Sequence, residues 1–287
     1  MVCKKEFHDF EFKQYSIPEK FISHKEAFLY AINNGMTTFD ASLVYGNGEW
    51  VAFLWKCLND VSLDREHYEI VAKLEKIDTP EDIEKEVDLY LTALWVDFID
   101  TLLLHSNGSS SLDLWETHHI MSSLLWKKVK WIWASNFSLR QTKYIQQEVG
   151  IQLEYFEWLF NLDCKHNQEV WIVDYCKENN ITFTAYQPLR RNNITGTSEL
   201  ITSLAKKYGK TENQIMLNWI TKSVWINALI RSTKIYHIEE NKSSQEFDMS
   251  AFDYQLLNEY RNNKYMNKEI DRERNGAGVT IAQVANL

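Results

Sequence analysis

The sequence has few of the residues that shape turns and cross-links. Its 287 residues include only 9 Gly, 3 Pro and 4 Cys, whereas average usage gives roughly twice as many Gly and several times as many Pro. No linker rich in glycine, serine or proline divides the chain, which favours a single domain. The cysteines lack C-x-x-C spacing, which excludes the common cysteine-based zinc and redox motifs and predicts free thiols. They are Cys3, Cys57, Cys164 and Cys176.

The sequence also lacks a long apolar run and an excess of positive charge. No run is long enough to span a bilayer, and residues 1–9 contain no apolar signal-peptide core. The net charge of −9 and the pI near 5.5 argue against nucleic acid or an anionic membrane as a partner. We therefore expect a cytoplasmic protein that binds neither.

Segments typical of strands and helices alternate along the chain, and one of the predicted strands covers residues 152–155. Helix starts are marked by an N-cap residue with an acid or Gln three residues later, as at Ser23, Thr79, Ser138 and Thr211. With a weak strand over residues 9–15, the pattern predicts an eight-stranded (β/α)8 barrel, an α/β fold.

This barrel is expected to form one domain over residues 1–287. The polar stretch 262–287 is a C-terminal tail whose structure the sequence does not indicate. His118-His119 and Cys164 with His166 are expected on helix or loop surfaces, and their spacing fits no zinc pattern, so no metal site is predicted.

Polar residues stand where the predicted strands end. These residues are Asp40, Lys73, His105, Ser135, Asn136, Gln152, Tyr186, Arg231 and Ser232. In a parallel barrel the functional groups lie at the carboxyl ends of the strands, so these side chains are expected to converge on one rim. Tyr45 follows the first of these strand ends in a Gly/Asn turn. An acid, a phenol, an amine and an imidazole are the groups needed to protonate a carbonyl oxygen.

The order of several short motifs carries a family resemblance. The motifs are Phe39-Asp40-Ala41 with Tyr45-Gly46-Asn47, Lys73, Asp97-Phe98-Ile99-Asp100 with Leu104-His105, Ala134-Ser135-Asn136-Phe137, Gln152-Leu153-Glu154, Ala185-Tyr186-Gln187-Pro188-Leu189, and Ile230-Arg231-Ser232-Thr233-Lys234 with His237-Ile238-Glu239-Glu240-Asn241. In this order the sequence resembles the aldo-keto reductases, which are NADPH-dependent carbonyl reductases built on a (β/α)8 barrel.

The resemblance implies roles for four residues. Tyr45 would be the general acid that protonates the carbonyl oxygen as hydride arrives from the nicotinamide. Because a phenol with a pKa of about 10 is a weak acid at neutral pH, a neighbouring ammonium, from Lys73, would favour its phenolate. Asp40 would pair with Lys73 and hold it in place. His105 would hydrogen-bond the oxygen of a small carbonyl substrate.

The resemblance also implies a set of cofactor contacts. Ser135, Asn136 and Gln152 would bond the nicotinamide carboxamide, and Tyr186 would stack on its ring. Further cofactor-binding residues are Gln187, Leu189, Arg231, Ser232, Thr233, His237, Glu240 and Asn241. His237 stands where the family has an arginine for the 2′-phosphate and is a weaker, pH-dependent partner for it. NADPH is still favoured, with Arg231 as the phosphate anchor, and NADH is the alternative.

Each of these residues has a structural interpretation as well. Tyr45 alone could be a half-buried turn residue, and Asp40 with Lys73 could be a structural ion pair. Their joint occurrence favours an enzyme. The alternative is a non-catalytic, nucleotide-binding regulatory protein or a degenerate pseudo-enzyme of the same fold.

Tryptophan is abundant where glycine is scarce, with 11 Trp in the chain. Compared with the family pattern, tryptophan stands at glycine positions at Trp55, Trp95 and Trp133, with Trp131 and Trp225 as further candidates. Trp95 follows a predicted helix where a left-handed glycine is the common stop, and Trp131 and Trp133 are expected to point inward and overpack the barrel. We hypothesise that some of these tryptophans are UGA codons that the source organism reads as glycine.

Overall fold

The structure is a computed structural model of the whole chain. It describes residues 17–61, 63–75, 77–105, 110–165, 171–189, 196, 198–222 and 225–261. The predicted strand over 9–15, the tail 262–287, Cys3 and His166 lie outside these residues.

The described residues group into two compact units. The first comprises the described chain up to Glu154 together with Thr233–Ile235. Its strands are β1 (Thr38–Ser42), β2 (Glu69–Leu74), β3 (Ile99–Leu104) and β4 (Val129–Ser135). Its helices are α1 (Ile22–Asn33), α2 (Glu49–Val61), α3 (Pro80–Leu94), α4 (Leu114–Ser123) and α5 (Leu139–Gln147).

The four strands of the first unit form one parallel sheet in chain order. Ser42 pairs with Lys73, Lys73 with Leu103, and Leu104 with Ala134. Every residue of β3 is buried, as expected for a parallel strand covered on both faces, which reads as a continuous apolar run. This register brings the carboxyl ends of β1 to β4 to one edge, which we call the carboxyl edge; the opposite edge is the amino edge.

The second unit contains Tyr155–Ser232 and the described residues from Tyr236 onward. Its strands are β5 (Tyr155–Leu159), β6 (Thr182–Tyr186) and β7 (Ile226–Leu229). They are parallel, with Leu159 paired to Tyr186 and Tyr186 to Leu229. The helices from here on are α6 (Ile172–Glu178), α7 (Glu199–Tyr208), α8 (Glu212–Thr221), α9 (Ile235–Lys242) and α10 (Ala251–Glu259). Whether the chain is one domain stays a prediction.

Three of the four predicted capping boxes are confirmed. Thr79, Ser138 and Thr211 are N-caps with reciprocal bonds to the residue three positions later. The prediction at Ser23 is wrong, because a 3₁₀ turn over Glu19–Phe21 leads directly into α1 and places Ser23 inside the helix.

The strand predicted over residues 152–155 is also wrong. The chain is irregular from Ile151 to Glu154, and β5 begins only at Tyr155. The run Phe156–Leu159 is richer in aromatic residues, which favour strands, and it pairs along its whole length with β6.

The tryptophan expectations have mixed outcomes. Trp95 is the C-cap of α3 in the left-handed conformation (φ 54°), as expected for a glycine position. Trp133 is buried, but Trp131 is 37% exposed and packs edge-on against Trp126. The expectation that Trp131 fills the interior is therefore wrong, because it lies near the start of β4, where the sheet meets solvent.

Two further features of the described residues concern the length of the helices and the burial of the cysteines. No helix in the described ranges combines the length and apolar character that a bilayer crossing requires. Cys57, Cys164 and Cys176 are free and buried, and burial raises the pKa of Cys57 and of Cys176 to about 12. The thiols of these two residues are therefore neutral at physiological pH.

Candidate active site

A buried ion pair lies at the carboxyl edge of the first unit. Lys73, on β2, places its Nζ 2.8 Å from Oδ2 of Asp40 on β1, and the Lys73 side chain is 3% exposed. Charges are costly to bury unless they are paired. The neighbouring strands β1 and β2 thus hold an ammonium and its counter-ion in a fixed place near the end of the sheet.

The loop after β1 positions Tyr45. Gly46, Asn47 and Gly48 follow it with φ values of 60°, 53° and 89°, and glycine and asparagine are the residues that adopt this left-handed conformation at least cost. The Tyr45 backbone N–H donates to Ser42 O at 3.0 Å. The tight turn keeps the half-buried phenol near the strand end.

His105 follows β3 and lies against Tyr45. The two rings meet edge to face, with centroids 6.3 Å apart. The Nδ1 atom of His105 contacts Oε1 of Glu75, and the Ser42 hydroxyl donates to the same oxygen at 3.0 Å. Sequence reasoning missed Glu75, although its position two residues after Lys73, on the same face of an extended chain, was a usable signal.

Tyr90, on α3, is a second residue that sequence reasoning missed. Its hydroxyl donates to Lys73 O at 2.9 Å and accepts from the Leu43 N–H at 3.0 Å, with Ala41 O at 3.3 Å. Burial holds the pKa of Tyr90 well above its ordinary value, so the hydroxyl stays a donor. It ties the ends of β1 and β2 together. Its spacing in the sequence indicated only an apolar helix position.

The end of β4 provides Ser135 and Asn136. Ser135 is buried, and Asn136 has a left-handed backbone with φ 59°. The Asn136 amide nitrogen donates to His105 O at 2.9 Å and to Ser135 Oγ at 3.0 Å. The structure therefore brings these two residues to the same edge as His105, as the sequence predicts.

Gln152 is not at a strand end. It is exposed and precedes β5 by three residues, so the prediction that places it at the carboxyl end of that strand is wrong. Thr233, also grouped with the first unit, is half-buried. The cofactor roles of both residues stay predictions.

In the second unit, Tyr186 and Asn161 mark strand ends. Tyr186 is the last residue of β6 and is half-buried, and Gln187 follows with φ 50° and an exposed side chain. Buried Asn161, shortly after β5, donates from its amide to Gln187 O at 3.1 Å. Asn161 was missed because the strand was predicted too early. Leu189 is half-buried.

Further predicted cofactor residues lie between β7 and α9 and within α9 itself. Arg231 is exposed, and Ser232, His237 and Asn241 are half-buried. Glu240 differs, because its carboxylate accepts a hydrogen bond from the Thr211 hydroxyl. That bond gives Glu240 a structural function in addition to its predicted contact with the cofactor.

Two other predictions concern histidine and cysteine. His118 is buried, not on the surface, and donates from Nδ1 to Leu114 O at 2.9 Å; burial lowers its pKa to about 4. Cys164 is buried too, whereas His119 is exposed. Among the described residues, Asp64, Glu66 and His67 are close enough to share a metal ion, but all three are exposed.

Comparisons with known proteins show which family the chain resembles over most of its length. The model of the aldo/keto reductase family matches residues 18–262. An NADPH-dependent alpha-keto amide reductase of Saccharomyces cerevisiae is 29% identical over 191 residues, which cover 60% of this chain and 59% of the yeast protein. A D/L-glyceraldehyde reductase of Hypocrea jecorina is 28% identical over 260 residues, which cover 77% of this chain and 76% of that protein.

A solved structure is similar as well. An aldo-keto reductase from Klebsiella pneumoniae, crystallised in complex with NADPH, matches with a TM-score of 0.73 at 19% identity, covering 82% of this chain and 84% of that one. The likeness confirms the predicted (β/α)8 fold class, to which the described residues contribute seven parallel strands. Because the family match spans most of its length, the chain belongs to the aldo/keto reductase family of oxidoreductases.

Proposed function

We propose that this protein reduces an aldehyde or ketone to an alcohol with NADPH, and that Tyr45 donates the proton. The observation that carries the proposal is the buried Asp40–Lys73 pair, 2.8 Å apart. The pair lies on β1 and β2, the loop after β1 carries Tyr45, and the Tyr45 ring meets the His105 ring edge to face. A buried ammonium beside the loop that carries a phenol is an arrangement suited to general acid catalysis.

Each of the site's side chains in the first unit has its own proposed role. The Lys73 ammonium favours the negative charge that the Tyr45 oxygen acquires when its proton passes to the carbonyl oxygen. Asp40 keeps Lys73 charged and oriented. His105 orients the carbonyl oxygen beside the Tyr45 hydroxyl. Ser135 and Asn136, at the end of β4, are suited to bond a carboxamide.

NADPH, when bound, supplies the hydride that reduces the carbonyl carbon. The chemistry of the second unit's donors fits such a dinucleotide. Tyr186 is half-buried at the end of β6, and Arg231 is exposed before the first turn of α9. An exposed guanidinium near a helix start suits a phosphate. We assign Arg231, with Ser232, His237 and Asn241, to the adenosine end.

The named relatives suggest small, neutral carbonyl compounds as substrates. The Saccharomyces protein is named for alpha-keto amides and the Hypocrea protein for glyceraldehyde. A panel of such compounds, assayed by loss of NADPH absorbance with the purified full chain, is the direct test. The same assay with NADH measures the cofactor preference.

The decisive variant is Tyr45→Phe, which removes one hydroxyl. We expect turnover to fall by at least about a hundredfold, because a positioned general acid contributes about that much or more, while NADPH binding by fluorescence titration is retained. Tyr144→Phe, at a half-buried tyrosine of α5, is the matched control. Equal turnover by Tyr45→Phe and the parent would refute the proposed role.

A further inference from the structure

We propose that Glu75 is a positioning residue that determines which nitrogen atoms of the His105 ring carry a hydrogen. The consequence for catalysis rests on the function proposed above, but the effect on the ring does not. The evidence is the contact between the Glu75 carboxylate and Nδ1 of His105 at the carboxyl edge of the first unit.

Glu75 is itself held from two sides. The buried Ser42 hydroxyl donates to Glu75 Oε1 at 3.0 Å. The Glu75 backbone N–H donates to both carboxylate oxygens of Glu86, at 3.2 and 3.3 Å. These bonds fix the start of the loop after β2, so the carboxylate keeps one orientation towards His105.

The contact determines which ring nitrogen carries hydrogen. A carboxylate is only an acceptor, so the Nδ1 atom that faces it must be protonated. In a neutral ring Nε2 is then a bare acceptor and cannot donate to a carbonyl oxygen. Donation from His105 to a substrate carbonyl therefore requires a proton on both nitrogens, and Glu75 supplies the counter-charge for that ring.

This arrangement gives the proposed carbonyl site two donors that are each backed by a carboxylate. One is the Lys73 ammonium, which acts through Tyr45, and the other is the Nε2–H of His105, opposite the Nδ1 atom that faces Glu75. Each has its own carboxylate, Asp40 for Lys73 and Glu75 for His105. Negative charge that develops on the carbonyl oxygen is therefore met from two directions in a partly buried site.

The first test observes the ring directly. Nitrogen NMR of the full chain with labelled histidine distinguishes the protonation states of imidazole, and His105→Gln assigns the signal among the 8 histidines. We expect Nδ1 to be protonated in the parent, and Glu75→Ala to shift the ring towards the form protonated on Nε2 alone. A parent signal from a bare Nδ1 would overturn the proposal.

The second test is a double-mutant cycle on turnover. Carboxylate partners of metal-binding histidines are worth on the order of tenfold to a hundredfold in activity, and we expect Glu75→Ala to lower kcat by a similar factor with NADPH affinity retained. In a His105→Ala background the same change should have little further effect. An equal loss in both backgrounds would show that Glu75 does not act through His105.

Two further variants keep the test interpretable. Glu75→Gln preserves shape and one acceptor but removes the charge, so it should fold like the parent and still lower kcat. Glu69→Gln, at the exposed amino end of the same strand, should change neither readout. If the parent shows no carbonyl turnover at all, the proposed function fails, and the NMR result still decides the role of Glu75.

Discussion

The two edges of the first unit's sheet carry the same kinds of charged and aromatic residues but pair the charges differently. At the amino edge, Asp100 accepts from Arg65, from Lys130 Nζ at 3.0 Å and from the Ile70 N–H at 2.8 Å. The Phe98 ring has the Arg65 guanidinium 4.1 Å and the Lys130 Nζ 3.9 Å from its centroid. One carboxylate is therefore shared by an arginine, a lysine and a backbone amide, and Arg65 also donates to Tyr68 O at 2.7 Å and to Phe98 O at 3.0 Å.

At the carboxyl edge the charges are kept in separate pairs instead. Asp40 pairs with Lys73, and Glu75 pairs with His105, while the half-buried Tyr45 faces His105. A carboxylate shared by several donors is suited to stabilising a fold, whereas the function proposed above assigns the separate pairs to catalysis. The contrast agrees with the general rule that conserved chemistry belongs to the carboxyl end of a barrel and stability to the other.

The largest expected effect is a loss of activity when a lysine is changed at the carboxyl edge but not when one is changed at the amino edge. Lys73→Met should lower kcat/KM by on the order of a thousandfold, because the proposed proton donor loses its neighbouring ammonium. Lys130→Met, the matched change at the amino edge, should retain turnover. Steady-state assays with NADPH and one aldehyde measure both, and similar activities in the two variants would remove the distinction between the edges.

The next effect separates the edges by stability. Asp100→Asn should lower the free energy of unfolding by about 2 kcal/mol, because it removes the charge of a buried carboxylate that accepts from the Ile70 N–H, Arg65 and Lys130, with little change in kcat/KM. The surface pair of Asp88 and Lys128, 2.6 Å apart, provides the control. There, Asp88→Asn should cost less than about 1 kcal/mol by urea denaturation. Equal losses would contradict the structural role of the cluster.

A third effect is a pH dependence of the free energy of unfolding, and its source is buried His118 on α4. His118 packs against Phe137, with ring centroids 5.7 Å apart, and burial lowers its pKa to about 4 from an ordinary 6.5. Between pH 6.5 and 4 the His118 ring is protonated in the unfolded chain but stays neutral in the folded chain. Stability present above pH 6.5 is therefore lost as the pH falls towards 4, by up to about 3 kcal/mol.

Urea denaturation across this pH range, with two variants, isolates that contribution. His118→Leu should flatten the pH dependence. His119→Leu, at the exposed neighbour on the same helix, should leave it unchanged. A parent whose stability is constant between pH 6.5 and 4 would contradict the assigned cause.

The smallest effect concerns tryptophans in the left-handed conformation. Trp95 and Trp126, near the amino edge, have φ values of 54° and 63°, and Trp171 in the second unit has 69°. Their exposures are 72%, 76% and 69%. Glycine adopts this conformation without the steric cost that a bulky residue carries, so each change to Gly should raise the free energy of unfolding by about 1 kcal/mol.

Trp115 provides the control for this set. It is exposed but lies within α4, where Trp115→Gly should lower stability by up to about 1 kcal/mol, since glycine is a poor helix residue. The codons give an independent check of the UGA hypothesis. UGA at positions 55, 95 and 133 would support glycine as the encoded residue, and UGG there would contradict it. The left-handed backbone adds positions 126 and 171 to the codons worth reading.

Local patterns in the sequence were enough to place part of the site. Lys73 and His105 each end an apolar run, and the runs became β2 and β3 within a residue or two. The start of α3 at Thr79-Pro80 could also be predicted from the sequence, because capping and a first-turn proline are local effects. These features need no knowledge of tertiary contacts.

Contacts between distant residues were not predictable in this way. Tyr90 reaches Leu43 across 47 positions of sequence, and Glu75 reaches His105 across 30. Gln152 was misplaced because its local pattern resembles a strand end, while the pairing of Phe156 with β6 decided where the strand lies. Burial of His118 also depends on packing that its helix sequence does not reveal.

The Tyr90 hydroxyl has a consequence for rebuilding this protein. It joins the loop that carries Tyr45 to the strand that carries Lys73, and it comes from a helix outside both. Its three bonds are all to backbone atoms, so they do not depend on the side chains of the loop. A chimera that imports residues 41–48 from a relative should therefore keep this tie if Tyr90 is retained and the imported loop follows the same backbone path.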